Sequence, residues 1–187
     1  MLKNYSAIDL RGIPNKYYEK VIEVVDFGRE IPDRKDLGIE FDLNDLNNVK
    51  KFKNFLIFTR GGSVKKNRKI IENKNVQILS NPYPVNETVA RLASKNNIAF
   101  EICVRNIIKV KGFQRSTILK NLKNTVSFAK KFKTKIVITS GARDEFEIKK
   151  PRTLIAFGKI LGMEYWESKA SIYDIPKKIL EMYSIEI

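Results

Sequence analysis

Short apolar, β-branched runs alternate with amphipathic, helix-like stretches along this chain, and that alternation restricts the architecture more than any other feature. The strand-like runs are Ser6–Leu10, Leu37–Leu43, Phe55–Thr59, Val76–Leu79, Ala99–Val104 and Ile136–Thr139, with a weaker seventh near Lys169–Ile172. Between them lie Asn15–Phe27, Asp45–Lys53, Val64–Asn73, Asn86–Lys95, Ser116–Phe132, Pro151–Leu161 and Ile175–Tyr183. Strands alternating with helices of this length make βαβ units and a parallel sheet. A repeat of about 20 residues leaves room for little else and favours a barrel over an open doubly wound sheet. The glycine fingerprints of nucleotide folds are missing; Gly61-Gly62 alone is a weak signal. With 187 residues the chain falls just under the ~200-residue lower end for eight-fold barrels. The expectation is one α/β domain over residues 1–187, a trimmed or irregular TIM-like barrel of about seven parallel strands in sequence order.

Charge narrows the partners. The sequence carries 36 Lys and Arg against 21 Asp and Glu, a formal charge of +15, which suits a polyanionic partner such as nucleic acid. The excess is uneven. Residues 1–48 hold 7 basic and 10 acidic side chains, while the rest of the chain holds 29 and 11. From Arg105 to Arg143 there are eleven basic residues and no acid. A solvated surface normally mixes signs, so this run points to a binding face.

The sequence contains no histidine. That removes Ser-His-Asp and Cys-His nucleophiles, imidazole bases and His-built zinc sites. One cysteine, Cys103, excludes an internal disulfide and fits a reducing, cytoplasmic setting. It sits in the apolar run Ala99–Val104 and reads as a buried small hydrophobe. No apolar stretch approaches the ~18 residues of a membrane span, and no signal-peptide pattern opens the chain.

Two kinds of residue remain as candidates for function. Asp9, Glu40, Asp42, Glu101 and Asp144 lie in or just beyond strands. Glu40 and Asp42, two apart, point the same way in a strand. A two-metal nuclease needs three or four such groups around ions about 4 Å apart; the simpler expectation is pairing with Arg or Lys. The basic candidates are Arg105, Arg143 and Arg152, each near the carboxyl end of a strand or the start of a helix. Pro151 suits the first turn of a helix, which puts Arg152 at a helix N-terminus. There it either grips a phosphate or forms an internal salt bridge. In Ser116–Phe132, Ile118, Leu119, Leu122, Val126, Ala129 and Phe132 make the buried stripe, with Ser116 as expected N-cap. Lys120, Lys123, Lys130 and Lys131 fall on other faces, and the helix has no Glu to pair with them. Phe113, Tyr83, Tyr165 and Trp166 are candidates to stack on bases or to fill a core or interface.

The segment Lys150-Pro151-Arg152-Thr153-Leu154-Ile155, then Leu161-Gly162-Met163-Glu164 and Ser168-Lys169-Ala170-Ser171-Ile172, resembles the C-terminal signature of the RNase P protein component 3 family. That is the archaeal counterpart of the eukaryotic thirty-kilodalton ribonuclease P subunit. Ile138-Thr139-Ser140-Gly141-Ala142 and Asn97-Ile98-Ala99-Phe100-Glu101-Ile102 extend the likeness upstream. The resemblance implies a barrel related to the PHP phosphoesterases, whose metal sites need several histidines that this chain lacks. It implies no catalytic and no metal-binding residue here, and no cofactor bound by this chain. The holoenzyme's RNA, with Mg²⁺, is the endoribonuclease that removes the 5′ leader from precursor tRNA. The implied partners are the RNase P RNA, protein component 2 (as a heterotetramer of two copies each), other RNase P proteins and, indirectly, precursor tRNA. Arg105, Arg152 and Lys169 are the first RNA-contact candidates, with Lys123, Arg143 and Arg115 behind them. Ser140, Gly141 and Arg143 are expected at an RNA- or protein-facing rim. Two alternatives stand beside this reading: a free-standing carboxylate-metal phosphoesterase or nuclease, and a generic basic RNA-binding protein.

Overall fold

Among the described residues, eight short strands, each parallel to its neighbours, frame the protein. The computed structural model describes residues 6–32, 34, 36–183 and 185. β1 (Ile8–Asp9) pairs with β2 (Lys20–Val21), and β3 (Glu23–Asp26) continues the same stretch of chain after Ile22. From β3 the sheet runs in sequence order through β4 (Leu37–Phe41), β5 (Leu56–Arg60), β6 (Ile78–Ser80), β7 (Ala99–Cys103) and β8 (Ile136–Thr139). Where about seven strands in one barrel were expected, β1 and β2 form a two-stranded pair and β3 to β8 a curled six-stranded sheet, the two joined through the break at Ile22.

One member of the seven differs. The stretch Asn15–Phe27, expected as a helix, supplies β2 and β3 instead. Its Val21-Ile22 and Val24-Val25 pairs are β-branched and favour the extended chain. The weaker run Lys169–Ile172 is no strand: it ends helix α6 (Tyr165–Ala170) and turns. That turn nevertheless bridges the barrel's seam. The Ile138 amide donates to the Ser171 carbonyl (3.1 Å), the Ile8 amide to the Ile172 carbonyl (2.8 Å), and the Gly141 amide to the Arg11 carbonyl (2.9 Å). These bonds tie β8 to β1 where no direct ladder joins them.

The other helices are α1 (Val64–Ile71), α2 (Glu87–Lys95), α3 (Val104–Ile108), α4 (Gly112–Phe132), α5 (Pro151–Ile160) and α7 (Asp174–Met182), with a ³₁₀ segment at Leu43–Phe52. Asn86 caps α2 through the Val89 amide (3.0 Å). Ser116 does not cap α4, which starts four residues earlier; its hydroxyl lies against the Gly112 carbonyl inside the helix (3.4 Å). Among the described residues no helix is long and apolar enough to cross a membrane.

Alternation along the strands sorts side chains into two cores. Ile39, Phe41, Ile57, Leu79, Phe100, Ile102, Ile136 and Ile138 face the helices. Leu56, Phe58, Ile78, Ala99 and Val137 fill the barrel with Ile8, Leu10 and Ile22, and α7 adds Ile179 and Leu180. Gly38 makes room for this filling, since a Cβ there would stand 2.7 Å from the Phe58 ring.

Candidate functional site

At the carboxyl ends of the strands the inward positions change from apolar to polar. One step past Phe58, Ile78, Ala99 and Val137 stand Arg60, Ser80, Glu101 and Thr139, with Glu40 in register beside Phe58. In a TIM-type barrel this is the catalytic end. Here the Arg11 side chain fills its middle. Nε donates to Glu101 Oε1 (2.8 Å), and Nη2 donates to Glu40 Oε1 (2.8 Å) and Ser80 Oγ (2.9 Å). The guanidinium carbon lies 4.7 Å from the centre of the Phe58 ring below it. Thr139 Oγ1 donates to the same Glu101 oxygen (2.7 Å). Arg60 closes the outer side, bonding Glu40 Oε2 (2.7 Å) and Asp26 Oδ1 (3.1 Å) and lying 3.8 Å from Asp42.

Burial alone would raise the Glu40 pKa, but the charge and hydrogen bonds of Arg11, with Arg60 behind it, lower it. Glu40 and Asp42, expected to point the same way, both reach Arg60. Glu40, Asp42 and Glu101 are therefore ion-paired. Among the described residues no three acidic or cysteine side chains converge as a metal site. A PHP-type metal centre does not fit this end: its histidines are missing, and a guanidinium lies between Glu40 and Glu101.

Asp9 is a different case. Its Oδ1 accepts the amides of Ser140 (3.1 Å) and Arg11 (3.2 Å), while Oδ2 is buried with no hydrogen-bond partner among the described residues. Complete burial pushes its carboxyl up to about 7, against the pull of those hydrogen bonds. Burial, with Glu101 nearby, pushes the Cys103 thiol up to about 12, so it is no nucleophile at neutral pH.

The rim beyond holds a cavity of about 560 Å³ that touches Arg11, Arg60, Arg105 and Arg143. Arg105 is engaged in the fold: its Nε donates to Glu147 (2.6 Å), which Lys109 also reaches (2.5 Å). Hydrogen bonds from Arg105 and Lys109 hold the Glu147 carboxyl down to about 2. Arg115 donates to the carbonyls of Val110 (2.7 Å) and Ile108 (3.2 Å), fixing the joint between α3 and α4. Ser140 and Gly141 are buried, contrary to the rim position expected for them; only Arg143 of that trio is exposed. Gly141 has φ +68°, and a Cβ there would come within 2.3 Å of Cys103 Sγ.

Arg152, Lys169 and Lys123 lie exposed on the outer helices α5, α6 and α4. Arg152 follows Pro151 at the start of α5, as its sequence implied. The lysines of α4 divide in two. Lys130 pairs with Glu167 (2.8 Å) and Lys131 with Glu87, partners brought from other helices that a count of charges within α4 misses. Lys111, Lys120, Lys123 and Lys133 have no ion pair among the described residues. Sequence reasoning passed over Arg11 and Arg60. The signal was present in Asp9-Leu10-Arg11, two opposite charges alternating with apolar residues at a strand end.

Fold and site together define a TIM-like α/β protein whose catalytic end is closed by arginine–carboxylate pairs and whose outer helices are basic. The family model described as RNase P subunit p30 matches residues 38–185. The chain belongs to this family of ribonuclease P protein subunits. It is 31% identical over 180 residues to ribonuclease P protein component 3 of Methanococcus maripaludis, covering 89% of this chain and 77% of that one. Another component 3, from Methanosarcina acetivorans, is 30% identical over 139 residues, 71% of this chain and 58% of its own. Among solved structures, a chain of archaeal ribonuclease P with mature tRNA superposes with TM-score 0.82 at 24% identity, covering 95% of this chain and 91% of that one. The barrel enzyme ochratoxinase of A. niger reaches 0.57 at 10% identity, over 76% of this chain and 39% of its own.

Proposed function

We propose that this chain works inside the ribonuclease P holoenzyme as an electrostatic scaffold, binding the RNase P RNA and other protein subunits while performing no bond chemistry itself. The observation that carries this reading is the division of charge. At the mouth, Arg11 and Arg60 are held by Glu40, Glu101 and Asp26. On the outer helices, cations such as Lys120 and Lys123 face solvent with no acid paired to them among the described residues. A surface of that kind neutralises phosphates and releases counterions, so a folded RNA reaches its active shape at lower Mg²⁺. The presence of a like-folded chain in archaeal ribonuclease P with tRNA supports the same reading. Protein component 2 is the expected protein partner, in a heterotetramer of two copies each. Precursor tRNA is met indirectly, in the cytoplasm, and the Mg²⁺ of the reaction belongs to the RNA.

Arg152, Lys169 and Lys123, with Arg143, are the RNA contacts under this proposal. Arg105 and Arg115 act through the shape of the α3–α4 rim, since their guanidinium groups already hold Glu147 and two carbonyls. The test is a Mg²⁺ titration of precursor-tRNA cleavage by the reconstituted enzyme, wild type against Arg152→Ala and Lys169→Ala. Each variant should lose activity at low Mg²⁺ and regain most of it at high Mg²⁺, with the salt slope of RNA binding reduced by about one unit or less. A folded variant that stays inactive at every Mg²⁺ concentration would remove the electrostatic assignment for that residue. Cleavage by the purified chain with Mg²⁺ or Mn²⁺ would favour the free-standing phosphoesterase instead.

A further inference from the structure

The sole tryptophan of the sequence lies on the surface. Trp166 is 68% exposed on α6, with Tyr165 (47%) before it and Ile160 (61%) at the end of α5. These helices meet closely: a Cβ on Gly158 would stand 2.6 Å from Ser168 Oγ, so the inner side of α6 rests on α5. Trp166 and Lys169, three apart, share a side of α6, while Ser168 is buried. Along α5, Arg152 and Lys159 are exposed about two turns apart on the same strip.

The charges around this corner are lopsided. Its two acids are used within the fold: Glu164 and Glu167 form a reciprocal cap, Glu167 accepting the Glu164 amide (2.7 Å), and Glu167 also holds Lys130 (2.8 Å). The cations Lys159 and Lys169 have no ion pair among the described residues. A large aromatic surface among cations whose acids are already engaged matches a ligand with flat faces and a negative backbone. Single-stranded RNA has both, whereas a paired helix hides its base faces.

We propose that Trp166, with Tyr165 beside it, is a stacking platform for an unpaired RNA nucleotide whose flanking phosphates lie against Arg152, Lys159 and Lys169. The proposal rests on the RNA-binding reading above and adds to it which RNA structure this corner takes: an unpaired loop or end. Stacking accepts any base, so the platform fixes position without reading sequence.

The single tryptophan makes the test direct, because emission excited beyond the absorption of tyrosine reports on Trp166 alone. The full chain is titrated with a short oligouridylate and with an RNA duplex of the same length. The single strand should quench Trp166, and Trp166→Ala should weaken single-strand binding about tenfold while Trp166→Phe keeps most of it. Duplex binding should be the same in wild type and both variants. The salt slope should stay unchanged in Trp166→Ala and fall in Lys169→Ala, separating stacking from phosphate contact. Circular dichroism of the variants should match wild type. If wild type binds the oligonucleotide but its fluorescence and the Trp166→Ala affinity do not change, the platform is refuted while the RNA-binding reading stands. If wild type binds neither RNA, both fall. If Trp166 responds only when another ribonuclease P protein is added, the corner is a protein contact and the proposal is overturned.

Discussion

The mouth of the barrel and the outer face of α4, α5 and α6 are both rich in arginine and lysine, yet they use positive charge in opposite ways. At the mouth Arg11 and Arg60 are matched. Arg11 has two carboxylates and an aromatic ring, and Arg60 has three carboxylates within 4 Å. On the outer face Glu164, Glu167 and Glu87 are drawn into a cap and cross-helix pairs, and among the described residues Lys120, Lys123, Lys159 and Lys169 have no ion pair. Matched charge in a partly dry place fixes shape, because each partner left alone would be costly. Unmatched charge in water contributes little to the fold and remains free to meet a phosphate. Net charge by itself does not separate the two; the neighbours do.

The largest effect expected from this contrast comes from Arg11→Ala. Removing it leaves Glu40 and Glu101 without their shared cation, and unfolding in urea should show a loss of about 3–5 kcal/mol. Lys123→Ala, with the same formal change of charge, should cost within about 0.5 kcal/mol. Similar losses for both would erase the distinction between the regions.

A smaller effect should join the core to the outer face. Gly158→Ala forces a methyl against Ser168 Oγ at 2.6 Å and Ile138 Cδ1 at 2.9 Å. The expected cost is about 1–3 kcal/mol in the same urea experiment, since an overfilled contact must spread. RNA affinity should fall as well, because α6 carries Trp166 and Lys169. An unaltered midpoint would show that α5 and α6 part without strain.

The mildest prediction concerns pH. Asp9 has an ordinary pKa of 3.8 and is pushed to about 7 in the folded chain, so between these values the native state holds more protons than the unfolded one. Raising the pH through that window therefore lowers stability, and the penalty is complete above about pH 7. Asp9→Asn keeps the Oδ1 acceptor and removes the titration, so its stability should change less between about pH 5 and about pH 8. Parallel profiles for wild type and variant would mean that Asp9 does not titrate in this window.

Much of the frame was legible because it is local. β4 to β8 overlap runs whose β-branched and aromatic residues mark them, β5 and β6 each reaching one residue further to Arg60 and Ser80, and α2 and α5 are announced by Asn86 and Pro151. Residues 15–27 misled because their apolar residues fit a helical spacing as well as a strand. The choice is made by pairing with β1 and β4, which lie elsewhere in the chain. The site was legible only in kind. Strand-end carboxylates were expected to find Arg or Lys partners: Glu40, Asp42 and Glu101 do, whereas Asp9 and Asp144 accept backbone amides instead. Which arginine joins Glu101 depends on a contact across 90 positions of sequence, set by the curl of the sheet. Burial of Ser140 and Gly141 had the same source, since Asp9 and Arg11 draw that loop inward through its amides.

The bonds at the seam have a consequence for vectorial synthesis. β1 leaves the ribosome early, but the Ile172 carbonyl that its Ile8 amide needs emerges far later. At the usual pace of translation the wait is roughly 10 to 30 seconds. Throughout it the growing sheet has open edges beside β1 and, once made, β8, where a strand from another chain can add in error. Release of nascent chains stopped just before residue 171 should therefore yield associating species, whereas chains extended through α7 can seal themselves.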